Sequence, residues 1–301
     1  MSTLAFLVNE DAELVERQLT EERRYARFLG ILTLVVAALV VGVTERTVNS
    51  IALSAFISEV GSLCLYLFAP MWFILWRRMG KRAFRYSLAV YAFSVAVMAL
   101  VDYTTKMGLT KPLHISPRAE DPILMLGFLM LLPWAPFLLV ARKYPSEARR
   151  VGLCFSRWAE NIGIGLLAGL ALGVHLLTVA LIIRHPVFPR KIPYTLWMVF
   201  YEFGIQSMSE ELFFRGFLFN YLHNYEGWGM WKSAFITAFA NVLIYMMKTS
   251  WTELAFVTLA ALFYILTMAV MNALLYRWRN NILCCWMSNV FFSLTTTLVV
   301  S

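Results

Sequence analysis

Five carboxylates fall inside apolar stretches of the chain: Glu59, Asp102, Glu202, Glu210 and Glu211. An ionisable side chain within a membrane segment is costly and is a functional candidate by default. Asp102 lies near the end of its stretch, within reach of water, and Glu59 is alone and reads as a hydrogen-bonded structural carboxyl. The stretch from Tyr201 to Arg215 differs, because it carries three acids, Gln206 and a cation. Residues four apart share a helix face, so Glu202, Gln206 and Glu210 form one polar stripe. Glu211 and Arg215 are also four apart and are expected to pair as ions. Glu210 is then left without a cation, facing the bundle beside Gln206. A carboxylate without a counter-ion in a restricted polar site is a candidate general base.

Two later segments carry stripes with the same spacing: Ser233, Thr237, Asn241 and Tyr245, then Cys285, Asn289, Ser293 and Thr297. Ser, Thr and Asn often hold membrane helices together, which is the simplest reading of either stripe alone. At 1.5 Å per residue, Glu210, Asn289 and Asn241 lie roughly 8, 12 and 15 Å into their segments, so all three can line one cavity. His175 reads as a packed, hydrogen-bonded residue, His223 as interfacial, and the adjacent Cys284 and Cys285 as helix-packing residues.

The elements that hold these groups follow from composition. Of 301 residues, 60% are hydrophobic and 15% charged, with mean hydropathy +0.67. Soluble domains carry roughly 25% charged residues, so most of this surface faces lipid. The net charge of +8 does not point to nucleic acid, because Lys and Arg sit in short clusters between apolar runs. The four cysteines form neither a disulfide framework nor a zinc-ribbon spacing. The polar first 27 residues lack the pattern of a cleaved signal peptide.

The expected fold is an all-α, polytopic transmembrane bundle of about nine spans, near 28–44, 51–76, 84–105, 122–141, 161–183, 194–215, 231–247, 254–276 and 281–300. With the N-terminus in the cytoplasm, 18 of the 26 Lys and Arg residues fall inside and 8 outside, the bias of the positive-inside rule. Three parts are expected: a charged cytoplasmic segment (1–27), N-terminal membrane helices (28–159) and a membrane core (160–301). Glu13 to Arg27 reads as a charged helix and Ser146 to Trp158 as an interfacial stretch carrying Leu153 and Phe155.

At Glu210-Glu211-Leu212-Phe213-Phe214-Arg215-Gly216 the chain resembles the CAAX protease and bacteriocin-processing (CPBP) family of intramembrane glutamic-type proteases. Its first motif is Glu-Glu-x-x-x-Arg, often followed by Gly and aromatics. Its second is Phe-x-x-x-His on the next span, and its third is His-x-x-x-Asn or Asp two spans later. The resemblance covers roughly 160–301. The second motif aligns best with Thr237 to Asn241, which puts Asn241 where the family has His. The third falls on Asn289 to Ser293, with Asn289 at the His and Ser293 at the Asn. No His follows His223, so no change of register restores either histidine.

The resemblance implies that Glu210 activates a water, with Glu211 and Arg215 as local scaffold. Asn289 would donate to an oxyanion, as Asn does elsewhere, and Asn241 would orient a water without accepting its proton. The expected activity is cleavage of a peptide or membrane-protein segment by an integral protein of the cell (inner) membrane, without cofactor or metal. Carboxylates lacking a nearby His or clustered Cys make a poor zinc site. Two alternatives stay open. One is a non-catalytic homologue that binds a peptide or a partner membrane protein. The other is a transporter using Glu59, Glu202 and Glu210, although no paired broken helices in two halves are evident.

Overall fold

A computed structural model describes residues 2–45, 122–184, 187, 189–248 and 256–299, with isolated positions between 60 and 107. Glu59, Cys64, Asp102 and most of the expected spans 51–76 and 84–105 lie outside the described residues. Among the described residues all regular structure is helical, and the other seven expected spans fall on helices. Three stretches of the described residues are long and apolar enough to cross a bilayer: Thr20–Gly42, Leu126–Lys143 and Trp158–Ile182.

Helix α1 is Ser2–Glu45. The charged segment ending at Arg27 and the apolar segment after it are therefore one continuous helix. A 3₁₀ helix, Pro122–Leu131, leads into α2 (Trp134–Lys143) and the short α3 (Pro145–Arg150). The stretch after α3 divides: Leu153 is buried, whereas Phe155 is exposed. Helix α4 is Trp158–Ile182.

The next element is a compound helix, α5, over residues 192–225. It begins α-helical at Ile192–Tyr201 and widens into a π-turn at Glu202–Gln206. It returns to α at Ser207–Glu211, then continues as π-helix through Leu212–Phe219 and Tyr221–Tyr225. The expected regular helix over 194–215 is thus longer and repeatedly widened. Apolar periodicity cannot register this, because a π-turn changes which backbone groups pair (i→i+5) while leaving the segment apolar. Helices α6 (Met230–Lys248), α7 (Phe256–Arg279) and α8 (Ile282–Val299) complete the described chain.

Two close approaches set the position of the polar centre. On α4, Gly165, Gly169 and Gly173 recur every four residues on one face. A Cβ there would collide with the Cys284 carbonyl, the Ser288 carbonyl and the Thr295 side chain in turn. The glycines therefore let α8 lie backbone to backbone along α4, the small-residue packing that membrane helices use in place of a hydrophobic drive. Gly204 does the same inside the first π-turn, where a Cβ would collide with the Met130 carbonyl. Helix α7 packs against α6 and α8, with the fully buried Ala234 and Ala238 on α6 and Ala269 and Ala273 on α7.

Candidate active site

Glu210 and Glu211 lie in the short α-helical turn between two π segments of α5. Successive residues on a helix point about 100° apart, so the two carboxylates diverge and meet different helices. Both are buried, Glu211 completely and Glu210 with 5% exposure.

Glu211 Oε1 accepts hydrogen bonds from Asn272 Nδ2 on α7 and Asn289 Nδ2 on α8, each at 2.9 Å. Arg215 Nη1 is 3.2 Å from the same oxygen. The expected ion pair is present, although that nitrogen lacks hydrogen-bond alignment and the contact is one of charge. Arg215 Nη2 donates to the Ala269 carbonyl at 2.9 Å. The guanidinium is thus fixed at both ends, to its own helix and to α7. Asn272 also donates to the Cys285 carbonyl at 3.2 Å, and Cys285 Sγ donates to the Asn272 carbonyl at 3.1 Å. These bonds lock α7 to α8 beside the carboxylate.

Glu210 has no cation against it among the described residues. Its Oε1 accepts from Gln206 Nε2, one turn earlier, and from Tyr245 Oη on α6 at 2.8 Å. Its Oε2 accepts from Asn289 Nδ2 at 3.2 Å. Asn289 therefore spans the acidic pair, donating to one oxygen of each carboxylate, and its own Oδ1 accepts from Ser293 Oγ at 3.2 Å. A carboxylate offers about four lone-pair sites. Three donors fill three of them on Glu210, which leaves one for a further donor.

Of the residues expected from sequence, Glu210, Glu211, Asn289 and Ser293 form one hydrogen-bonded cluster, to which Arg215 is joined by its ion pair with Glu211. Gln206 joins it, as the shared stripe predicts. Glu202 accepts from Ser207 Oγ at 2.6 Å, five residues along, which is the spacing of the π-turn on which it sits. Asn241 is buried, and its Nδ2 has no hydrogen-bond partner among the described residues. The α6 side chain that reaches Glu210 is instead Tyr245, one turn further along.

Sequence reasoning missed two members. Tyr245 stood in the α6 stripe without a role, and Asn272 drew no notice as a single amide in an apolar run. Its signal was its cost: a lone Asn in a span needs partners. Elsewhere, His175 Nδ1 and Tyr264 Oη are 2.6 Å apart, and His223 Nδ1 donates to the Trp228 carbonyl at 2.9 Å, so both histidines are packed and bonded.

Buried acids joined by amides and a guanidinium, carried on apolar helices, are the mark of an integral membrane protein. The family model described as Rce1-like, type II CAAX prenyl endopeptidase, matches residues 192–295. That stretch contains every member of the cluster. The resemblance read at Glu210 to Gly216 therefore holds over this part of the chain, which is CAAX-protease-like; members of that family are intramembrane proteases. Neither the curated proteins nor the solved structures give a match.

Proposed function

We propose that the protein is an intramembrane endopeptidase that cleaves a peptide or membrane-protein segment with a water activated by Glu210. The observation that carries this reading is the asymmetry of the acidic pair. Glu211 is neutralised by Arg215, whereas Glu210 is oriented by three neutral donors from three helices and keeps one acceptor site. A water donating to that site would be held by the group that takes its proton.

In this reading Glu211 and Arg215 are the scaffold. Tyr245 and Gln206 fix the carboxylate plane, and Ser293 orients the Asn289 amide. Asn289 supplies the oxyanion donor once substrate displaces one of its two carboxylate contacts. Asn241, whose buried Nδ2 has no partner among the described residues, lies on the same side of α6 as Tyr245 and would bind a water or a substrate carbonyl. The protein is further proposed to be multi-pass in the cell (inner) membrane. It would have about nine spans, a cytoplasmic N-terminus and the division into 1–27, 28–159 and 160–301.

One observation favours a second reading. Asn289 Nδ2 serves both carboxylates, and residues 241 and 289 on α6 and α8 are amides and not imidazoles. A homologue that binds a peptide or partner protein without cutting it would keep this network closed. The test is cleavage of a membrane-inserted reporter peptide by wild type and Glu210→Ala in the same vesicles. Turnover in wild type and background in the variant supports the protease. Equal background in both sinks it. Activity that arises in an Asn241→His, Asn289→His double variant would identify a decayed protease.

A further inference from the structure

At one end of the bundle, away from the acidic pair, the loop after α3 meets the turn between α7 and α8. The two are strapped together: Asn281 Nδ2 donates to the Cys154 carbonyl at 2.7 Å, and Ile282 N–H donates to the Gly152 carbonyl at 2.9 Å. Between them lies a cavity of about 350 Å³, lined by Arg149, Arg157 and Arg279 with Cys154, Trp278 and Asn281 among its other walls. That volume falls in the range of small-ligand sites.

The charge of the cavity has one sign. Three guanidinium groups line it, and one of them, Arg279, pairs with Glu160 at 2.9 Å. Arg279 is also fixed by its Nε, which donates to Asn161 Oδ1 at 2.9 Å. One arginine is thus held in place and partly neutralised, and two more carry charge that these contacts leave uncompensated. Helix α4 begins at the same place. Its N-cap is Arg157, in the left-handed region at φ 50°, and no side chain caps it. The first N–H groups of a 25-residue helix therefore lie beside the arginines, and helix N-termini favour anions. Arginine forks match phosphate oxygens in two-bond geometry.

The rim supplies the context. Phe155, Trp158 and Trp278 are 56%, 60% and 66% exposed. Large exposed aromatics beside arginine are the composition of the membrane–water interface, which puts the cavity at headgroup depth. We propose that this cavity is a binding site for a phosphate-bearing anion, held by Arg149, Arg157 and Arg279. The phosphate would come from an anionic phospholipid headgroup or from a soluble phosphate.

Cys154 provides the readout. Its thiol is 2.9 Å from Ser156 Oγ, and that hydrogen bond holds its pKa below the ordinary thiol range, so it reacts readily when free. The full chain in a neutral detergent is treated with a maleimide, and the label on the Cys154 peptide is followed by mass spectrometry. Ligand at about three times its Kd fills about three quarters of the sites and slows labelling about fourfold. Dioctanoyl phosphatidate should slow it, and dioctanoylglycerol should not. The protection should vanish in an Arg149→Gln, Arg157→Asn variant, since Asn tolerates the left-handed conformation at 157. Rates are compared with and without ligand within each variant, because Arg149 itself acts on the thiol. Protection by phosphatidate alone assigns a headgroup. Protection by inorganic phosphate at the same concentration assigns a soluble phosphate to the same site. Absence of protection by both, or equal protection in the variant, overturns the proposal.

Discussion

Glu210 and Glu211 are adjacent and share the Asn289 amide, but the two sides of the centre are made of different materials. On the Glu211 side, a buried guanidinium, an α7 carbonyl and two amides enclose a carboxylate with no exposure. On the Glu210 side, a glutamine, a phenol and the shared amide hold a carboxylate that keeps slight exposure and meets no cation among the described residues. A buried charge with a matched counter-charge is expensive to disturb, because removing one partner strands the other. A charge held by neutral donors is easier to protonate or replace, since no ion is stranded. The first side suits a fixed scaffold, and the second suits a group that exchanges a proton.

Glu210→Gln is the largest test of that contrast. It keeps the volume and removes the base, and loss of a proton-transfer group costs roughly 10²–10⁴-fold in rate. Cleavage of a membrane-inserted reporter should fall by that factor, while the midpoint of thermal unfolding in detergent moves little. A variant that unfolds with its loss of activity would show that Glu210 is scaffold as well.

Arg215→Met inverts the pattern. The aliphatic stem keeps its packing, and Glu211 is left buried beside Asn272 and Asn289 with no cation. Breaking a buried pair in this way costs roughly 3–5 kcal/mol, measurable as a fall in the unfolding midpoint. Restoration by the double variant Arg215→Met, Glu211→Gln would show that the stranded charge, and not lost packing, is the cause.

Asn272→Ala acts on the same side more mildly. It removes one of two amide donors to Glu211 Oε1 and the bond to the Cys285 carbonyl. A hydrogen bond to a charged group is worth about 1.5–3 kcal/mol and a neutral one about 0.5–1.5 kcal/mol, so the loss should come to about 2–4.5 kcal/mol, at or just below that of Arg215→Met. Hydrogen exchange should rise first where α7 meets α8. A loss larger than that of Arg215→Met would mean that the Asn272 amide, and not the guanidinium, is the main support of Glu211.

The legibility of this centre followed spacing. The Glu211–Arg215 pair and the Gln206–Glu210 contact both lie within one helix, where four residues return to one face, so sequence distance fixed the geometry. The Glu210–Asn289 and Glu211–Asn289 contacts cross helices, and depth arithmetic brought those residues level without saying that α5 and α8 touch. The run Gly165, Gly169 and Gly173 holds α8 against α4 and so helps set where α8 lies. It was visible as glycines every four residues in an apolar segment, but its partner face was not. The π-turns were invisible for a different reason. They change backbone pairing without changing composition, and they displace Glu202 onto Ser207. Tyr245 and Asn241 share a face of α6, and only the three-dimensional register of α5 against α6 decides which of them meets the carboxylate.

Tyr245→Phe is the finest probe of the comparison. It removes one hydroxyl from Glu210 Oε1 and leaves Gln206 and Asn289 in place. The lost bond is to a charged acceptor, and its lower bound of about 1.5 kcal/mol corresponds to about tenfold in rate if the phenol serves chiefly to orient the base. The fall should appear in kcat with KM unchanged, because a group that orients the base acts on the chemical step and not on substrate binding. A rise in KM with kcat preserved would move Tyr245 from the carboxylate to the substrate. A loss as large as that of Glu210→Gln would make the phenol itself a proton carrier. That outcome would separate α6 from α8 in function: Asn241 would line the cavity while Tyr245, one turn along, carried the chemistry.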